Sequence, residues 1–399
     1  MNINDTPEQA AFRQSIRDWI DKNVPSHLKG LRQGIVQGPG LPKETVAPLR
    51  EALRKEGWLM PSFPKEYGGG GLSTMEMIIF SEEFTRAGVP LTDAGSGANG
   101  NICQILFKYG TEDQKQRLLA PTLKGELRWC QGYSEPSSGS DLASLQTRAV
   151  KVEGGWQING QKIWTSGAHH ADWIFFLART NPDAPRPQQG ISFFVFDVKS
   201  PGIEVSPLIT IDDHHHFNQT FYDNVFVPDS GLVGEVNQGW TVAKALLVFE
   251  RLNHIAANPM VLGRALDNLK LTARDVAVNG GAVWDDPALK RQVAALEMDI
   301  DCLRATRYRA VTKIERGEVP GNETMFLKSF GAELFQRIVE AHQLIAGTLG
   351  VNWGADELFG TELGEIAMHS ANIRAATIRG GTSEVQRNVV AKRVLGLPG

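Results

Sequence analysis

The residue types best able to do chemistry fall in a few short stretches. Residues 131–142, Gln-Gly-Tyr-Ser-Glu-Pro-Ser-Ser-Gly-Ser-Asp-Leu, combine hydroxyls, glycine and a rigid proline. Such a loop presents backbone N–H groups and hydroxyls to a polar ligand, and equally makes a solvated turn cluster. Residues 160–167, Gly-Gln-Lys-Ile-Trp-Thr-Ser-Gly, set Trp164 beside Thr165 and Ser166. An indole stacks on a flat aromatic cofactor while hydroxyls bond its edge; a tryptophan in a β-rich segment also serves simply as core. Glu250-Arg251 sits inside the apolar helical run 243–257. A carboxylate in apolar surroundings has its pKa raised and acts as a base near neutrality, or it pairs at an ordinary helix surface. Residues 378–387, Ile-Arg-Gly-Gly-Thr-Ser-Glu-Val-Gln-Arg, put glycines and hydroxyls at a helix start. There, free N–H groups and the helix dipole receive an anion or an electron-rich edge, though a plain helix start has the same composition.

Other chemistries find no support. His169-His170 and His214-His215-His216 are consecutive, and neighbouring strand residues point to opposite faces, which is poor ligand geometry; surface histidines and no metal are expected. No Gly-x-Ser-x-Gly nucleophile turn occurs. The glycines 68–71 lack a following Lys-Ser/Thr pair, so a flexible connector is expected rather than a phosphate cradle. Lys plus Arg is 41 against 45 for Asp plus Glu, a net charge of −4 without the basic surplus of a nucleic-acid binder. Cys103, Cys130 and Cys302 lie far apart and form no disulfide framework, which suits a reducing, cytoplasmic setting. The polar opening residues lack the apolar core of a signal peptide, and no apolar run is long enough to span a bilayer.

The elements that must position these residues change character along the chain. Thr6, Pro7 and Gln9 form a helix start, followed by Phe12, Ile16, Trp19 and Ile20 at helical spacing and a stop at Pro25. Further helices are expected over 46–56, 74–86 and 112–124. From about residue 127 the spacing turns strand-like. A hairpin flanks Glu153-Gly154-Gly155, and β runs at 173–178, 191–198, 203–211 and 220–227 imply a compact sandwich or barrel. Helical period returns over 241–278, 287–316, 323–348 and 363–375, and a last helix is expected to start on a Ser383/Gln386 capping box. The fold class expected is α+β multidomain. It has an all-helical N-terminal domain (1–126), a central β domain (127–236) and a C-terminal helical bundle (237–399).

The order of motifs is more specific than any one of them. Pro64-Lys-Glu-Tyr-Gly-Gly and Tyr109-Gly-Thr-Glu-Asp-Gln are followed by Ser134-Glu-Pro and Lys162-Ile-Trp-Thr-Ser. Asp223-Asn-Val-Phe-Val-Pro, Gly239-Trp and Gly381-Thr-Ser-Glu-Val-Gln-Arg complete the series. Covering essentially the full length, it resembles the acyl-CoA dehydrogenase family of flavoproteins. The resemblance implies a helical domain, a β barrel-like domain and a C-terminal four-helix bundle, usually assembled as a tetramer with FAD between the last two. It implies that Tyr133, Ser134, Trp164, Thr165 and Ser166 contact the isoalloxazine ring, and that Thr382 and Glu384 contact the nucleotide part. Ser140 matches a residue lining the acyl-CoA entrance and Arg251 one near the pantetheine.

Two positions depart from the family pattern. Many members carry a glutamate base directly before the C-terminal Gly-Thr pair, where this chain has Gly380. A branch of the family instead places its base on the first long helix of the C-terminal domain, and Glu250 matches that place. The family's arginine for the flavin pyrophosphate of a neighbouring subunit has no counterpart in register, Arg274 being nearest. The resemblance therefore implies an α,β-dehydrogenase of acyl-CoA thioesters with Glu250 as base, passing electrons to an electron-transferring flavoprotein. It also implies a homotetramer or a mixed tetramer with a homologous subunit. A flavin oxidase or monooxygenase, and a non-catalytic subunit, are the alternatives. The ending Arg-Gly-Gly-Thr is similar to that of bacterial members that handle branched or ring-bearing acyl groups.

Overall fold

The computed structural model describes residues 5–31, 43–90, 97–253, 258–278, 280–316, 318, 326–353 and 361–398. It begins with α1 (Pro7–Asn23), started by the expected box in which Thr6 Oγ1 accepts from Gln9 N–H and Thr6 N–H donates to the Gln9 side chain. α2 (Lys43–Lys55) and α3 (Thr74–Arg86) follow. The glycines between them are not a flexible connector. Gly69 and Gly70 run against the backbone at Phe63 and Pro61, and 69–72 donate four backbone hydrogen bonds to 60–64. A Cβ at Gly69 would strike Phe63, so these glycines serve close approach rather than freedom of movement.

α4 (Gly97–Tyr109) has no counterpart in the sequence expectation, because Gly97, Asn99, Gly100 and Asn101 read as turn formers. Tertiary packing overrides them: Ile102, Cys103, Ile105 and Leu106 are all fully buried. The helix expected over 112–124 is instead α5 (Glu112–Gln114), a π-helical turn at Lys115–Leu119 and α6 (Ala120–Leu123). Pro121 lacks the N–H that a regular helix would need there.

The middle of the chain is a curled sheet of β1 (Trp129–Gly132), β2 (Arg148–Val152), β3 (Gly155–Lys162), β4 (Trp173–Arg179), β5 (Ile191–Asp197), β6 (Ile203–Ile209) and β7 (His215–Pro228). The order is β1-β4-β2-β3-β7-β6, and β5 pairs antiparallel with β4 off this path. The hairpin turns through Glu153-Gly154 as expected, with Val152 opposite Gly155 and Gly154 at φ 72°. β7 starts earlier than its apolar run suggests, since its first residues are histidines. Both faces of β4 and β5 are covered, which explains their unbroken apolar runs. Phe175, Leu177, Phe193 and Val195 pack towards the helices. Ile174, Phe176, Phe194 and Phe196 fill the inside of the curl with Trp156 and Tyr222.

The C-terminal part is helical. The expected 241–278 helix is divided into α7 (Gly239–Asn253) and α8 (Pro259–Asp275). Asn258 caps α8 by accepting from Met260 N–H, and Pro259 takes its first position, a start signal hidden inside the apolar run. After the small hairpin β8 (Ala277–Val278) and β9 (Gly281–Ala282) come α9 (Pro287–Glu315), α10 (Leu327–Ala346), α11 (Thr361–Ile373) and α12 (Ser383–Arg393). α10 is buried on more than one side and forms the axis of the bundle, with Leu334, Phe335 and Ile338 packed against α8, α9 and Ile373. The N-cap of α12 is Thr382, whose Oγ1 accepts from Val385 N–H, so the expected Ser383/Gln386 box does not form. Arg264 of α8 donates to Thr85 O and Leu31 O, fastening the C-terminal helices to the N-terminal ones. Among the described residues, no helix is long and apolar enough to cross a membrane.

Candidate functional site

Two neighbouring segments that leave the sheet, and a third on the C-terminal helices, supply the candidate site residues. The first leaves β1 through Tyr133, Ser134 and Glu135. Tyr133 is buried, its ring edge-on to Phe175 at 5.8 Å and to Phe193 at 6.3 Å. Ser134 O accepts from Ile163 N–H at 2.9 Å, tying this segment to the end of β3. The buried Glu135 carboxylate accepts from Gln146 N–H at 2.6 Å, Thr147 N–H at 2.9 Å and Lys162 Nζ at 2.8 Å. Lys162, with no exposed surface, also donates to Tyr133 O at 3.1 Å. Ser140 lies farther along, exposed, in the turn cluster whose Ser138 and Ser144 hydroxyls bond each other at 2.9 Å.

The second segment leaves β3 after a bulge at Gly160 (φ 147°), where a Cβ would press on Thr147. Trp164 then takes a left-handed backbone (φ 62°) that costs a bulky residue conformational energy, yet its indole is 52% exposed, edge-on to Phe217. The next residue is pinned: Thr165 exchanges backbone hydrogen bonds with Asn218, and Asn218 Nδ2 adds a third to Thr165 O, all at 3.0 Å. Thr165 Oγ1 is buried without a partner among the described residues, an acceptor and donor one residue after the exposed indole. Ser166 is half-buried beside it.

The third segment lies on the C-terminal helices. Gly380 and Gly381 have φ of 67° and 91°, and the turn they make delivers Thr382 to the start of α12. Lys328, buried on α10, donates to Gly381 O at 2.6 Å. Glu384 is exposed in the first helical turn, its carboxyl lowered by the helix N–H groups and then by Thr382. Ser383 Oγ is buried with no partner among the described residues. A link from β7 reaches this turn. His216 is half-buried, and burial, then the charge of Arg379, pushes its pKa down. Beside it Asp212 accepts from Thr210, His214 Nδ1 (3.1 Å) and Asn372 Nδ2 (2.5 Å), which joins the 210–216 turn to α11.

The histidines expected at the surface therefore divide. His169, His170 and His215 are exposed, with His169 stacked on His215 at 4.0 Å, whereas His214 and His216 are built into the contact with the C-terminal helices. Among the described residues, no group of His, Cys, Asp or Glu has the arrangement to hold a metal ion.

Glu250 and Arg251 lie in the last turns of α7, and their side chains are outside what is described. Val242, Ala243 and Leu246 of the same helix are buried in the cluster that holds Tyr133, Phe175 and Phe193. Arg274, in the last turn of α8, is exposed and stands 4.9 Å above the ring of Trp284 in its own chain. The structure thus joins Tyr133 and Ser134 to 164–166 directly and sets Thr382 and Glu384 on a separate element. Glu135, Lys162 and Asn218 do not stand out in the sequence as site residues. Glu135 and Lys162 fall within the motifs quoted above, but nothing in their spacing shows that they pair.

These residues fit FAD. An exposed indole next in sequence to an unpartnered buried hydroxyl suits the edge of a flat heteroaromatic ring, and a capped helix start with an unpartnered serine suits a nucleotide's polar part.

Residues 6–126, 130–225 and 237–395 match the models described as the acyl-CoA dehydrogenase N-terminal, middle and C-terminal domains. Acyl-CoA dehydrogenase FadE34 of Mycobacterium tuberculosis is 36% identical over 379 residues, 94% of this chain and 49% of that protein. The chain thus spans about half the length of FadE34. Acyl-CoA dehydrogenase IpdE1 of the same organism is 34% identical over 394 residues, 97% of each chain. The solved structure of the Tcur3481-Tcur3483 steroid ACAD is 31% identical, covers 100% of both chains and superposes with a TM-score of 0.82. The chain belongs to the acyl-CoA dehydrogenase family, whose members are FAD-dependent oxidoreductases.

Proposed function

We propose that the chain removes hydrogen from the α and β carbons of a ring-bearing acyl-CoA thioester, giving the 2-enoyl thioester, with Glu250 as the base. The observation that carries this is the register of α7. Position 250 continues the helical row of Ala243 and Leu246, which packs on the cluster containing Tyr133. The usual alternative is closed: Gly380 carries no side chain and holds a left-handed backbone. When bound, FAD supplies the acceptor for the electron pair leaving the β carbon. Tyr133, Ser134 and 164–166 hold its ring system, and Thr382 and Glu384 hold the nucleotide end. Glu250 takes the α-proton. The thioester oxygen, where enolate-like charge gathers, needs hydrogen-bond donors held in place beforehand. Ser140, exposed on its loop, and Arg251 serve the CoA end.

The ring-bearing substrate is supported by likeness to the Tcur3481-Tcur3483 protein, described as a steroid ACAD, and by the Arg-Gly-Gly-Thr ending. An electron-transferring flavoprotein is the natural electron acceptor. That relative carries a two-part name, Tcur3481-Tcur3483, and Arg274 is engaged by Trp284, so we take the assembly to be an oligomer of family subunits, identical or mixed. The domain limits 1–126, 127–236 and 237–399 belong to the same proposal. The test is a panel of straight-chain, branched and steroid-side-chain acyl-CoA thioesters mixed anaerobically with the holoprotein. Fastest flavin bleaching by a ring-bearing thioester, with re-oxidation by electron-transferring flavoprotein, is expected. Straight-chain preference would overturn the substrate class, and rapid oxygen consumption would favour an oxidase.

A further inference from the structure

We propose that the buried Glu135–Lys162 ion pair is the positioning element of the flavin surface, clamping residues 133–134 to residues 164–166, and that FAD retention depends on it. This rests on taking those two segments as flavin-facing. Lys162 ends β3 two residues before the strained Trp164, and Glu135 lies one residue beyond Ser134. The ammonium donates to Glu135 Oε1 at 2.8 Å and to Tyr133 O at 3.1 Å, and it stands 4.9 Å from the centre of the Phe176 ring. The carboxylate, besides Lys162, takes the N–H groups of Gln146 and Thr147. One pair therefore fixes the backbone at 133, 135, 146–147 and 162. From the other side Arg179 donates to Leu145 O at 3.0 Å and to Ala143 O at 2.7 Å, holding the same loop.

Two charges buried together are a poor way to gain stability, since taking them out of water offsets their attraction. A fixed geometry is what the pair offers here. It also separates stability from binding experimentally. Burial, opposed by Glu135 and aided by the charge of Arg179, brings the Lys162 ammonium down to about 8. Glu135 and Arg179 are the charged groups that face it. A folded value below the ordinary 10.5 means that proton loss favours the folded chain, so this group adds stability as pH climbs from 8 towards 10.5. Over the same range the clamp loses its charge. Retention and stability must then move in opposite directions, which a purely structural pair would not produce.

The wild-type apoprotein titrated with FAD by fluorescence between about pH 7 and 10 decides this without any variant. The dissociation constant is expected to rise on the order of 10-fold above pH 8, the scale on which supports of a binding shell act, while the apoprotein's melting temperature holds or rises. A flat constant, or affinity and melting temperature falling together, overturns the proposal. The double variant Glu135→Gln with Lys162→Met, which leaves no lone charge, is expected to bind FAD ~10-fold more weakly with no pH dependence. Wild-type affinity in the folded double variant overturns the clamp. Trp164→Ala separates the two layers. If it binds FAD normally, the assignment of the flavin surface fails; if it weakens FAD while the double variant does not, only the clamp fails.

Discussion

Trp164 carries the most telling conflict between local preference and use. A left-handed backbone at φ 62° costs a bulky L-residue about 1–2 kcal/mol, and an indole left half in water regains little of it by burial. Trp164→Gly should therefore keep or raise the apoprotein's melting temperature while weakening FAD binding by about 1 kcal/mol or more, the worth of a stacking face. Loss of stability with unchanged FAD affinity would make Trp164 core and nothing else. The motifs around 134 and 164–166 are legible in the sequence because tryptophan, hydroxyls and glycine crowd there. Asn218 is not, since its three bonds with Thr165 join β7 to the segment after β3, distant in sequence, and leave no mark on local composition. Glu135 and Lys162 are hidden for the same reason.

At the scale of elements, the strands with covered faces are the most legible. β4 and β5 read as continuous apolar runs because Phe175 and Phe193 face the helices while Phe176 and Phe194 face the curl. α4 is illegible because its asparagines and glycines are overruled by burial of Ile102 and Leu106, and the break before α8 hides behind apolar neighbours. α10 is the axis of the bundle, so Phe335→Ala, at a fully buried position, should cost ~3–5 kcal/mol in chemical denaturation. A cost below ~1 kcal/mol would mean that the bundle core lies elsewhere. The turn before α12 depends on two left-handed glycines. Moving the base there by Gly380→Glu forces a side chain onto φ 67°, so Gly380→Ala alone should already lower stability by about 1 kcal/mol. An unchanged melting temperature in Gly380→Ala would contradict this.

At the scale of the whole molecule, buried titratable groups join the parts and set how the fold responds to acid. His342 and His369 are held down to about 4 by burial, then by a neighbouring histidine's charge. A neutral histidine favoured by the fold contributes stability above the ordinary 6.5, lost as pH falls from 6.5 through 4. Burial works to raise Glu83, but hydrogen bonds from Arg17, Arg86 and Arg13 across α1 and α3 outweigh it and hold the carboxyl at about 2. Its contribution is present above the ordinary 4.5 and is lost as pH falls towards 2. The melting temperature should accordingly fall first between pH 6.5 and 4, with His369→Gln removing part of that step. A single loss confined below pH 4 would contradict it. Leu344, Val351, Ile378, Leu395 and Leu397, in α10 and the segments that follow it, expose more than half of their surface, so light scattering should find an oligomer rather than a 43.8 kDa monomer. The central claim is the base, and it is tested most directly by anaerobic stopped-flow reduction of the FAD-loaded protein and its Glu250→Gln variant with the best acyl-CoA of the panel. The variant should bind FAD and thioester as the wild type does but bleach the flavin at least ~100-fold more slowly. Bleaching at the wild-type rate would show that Glu250 takes no proton.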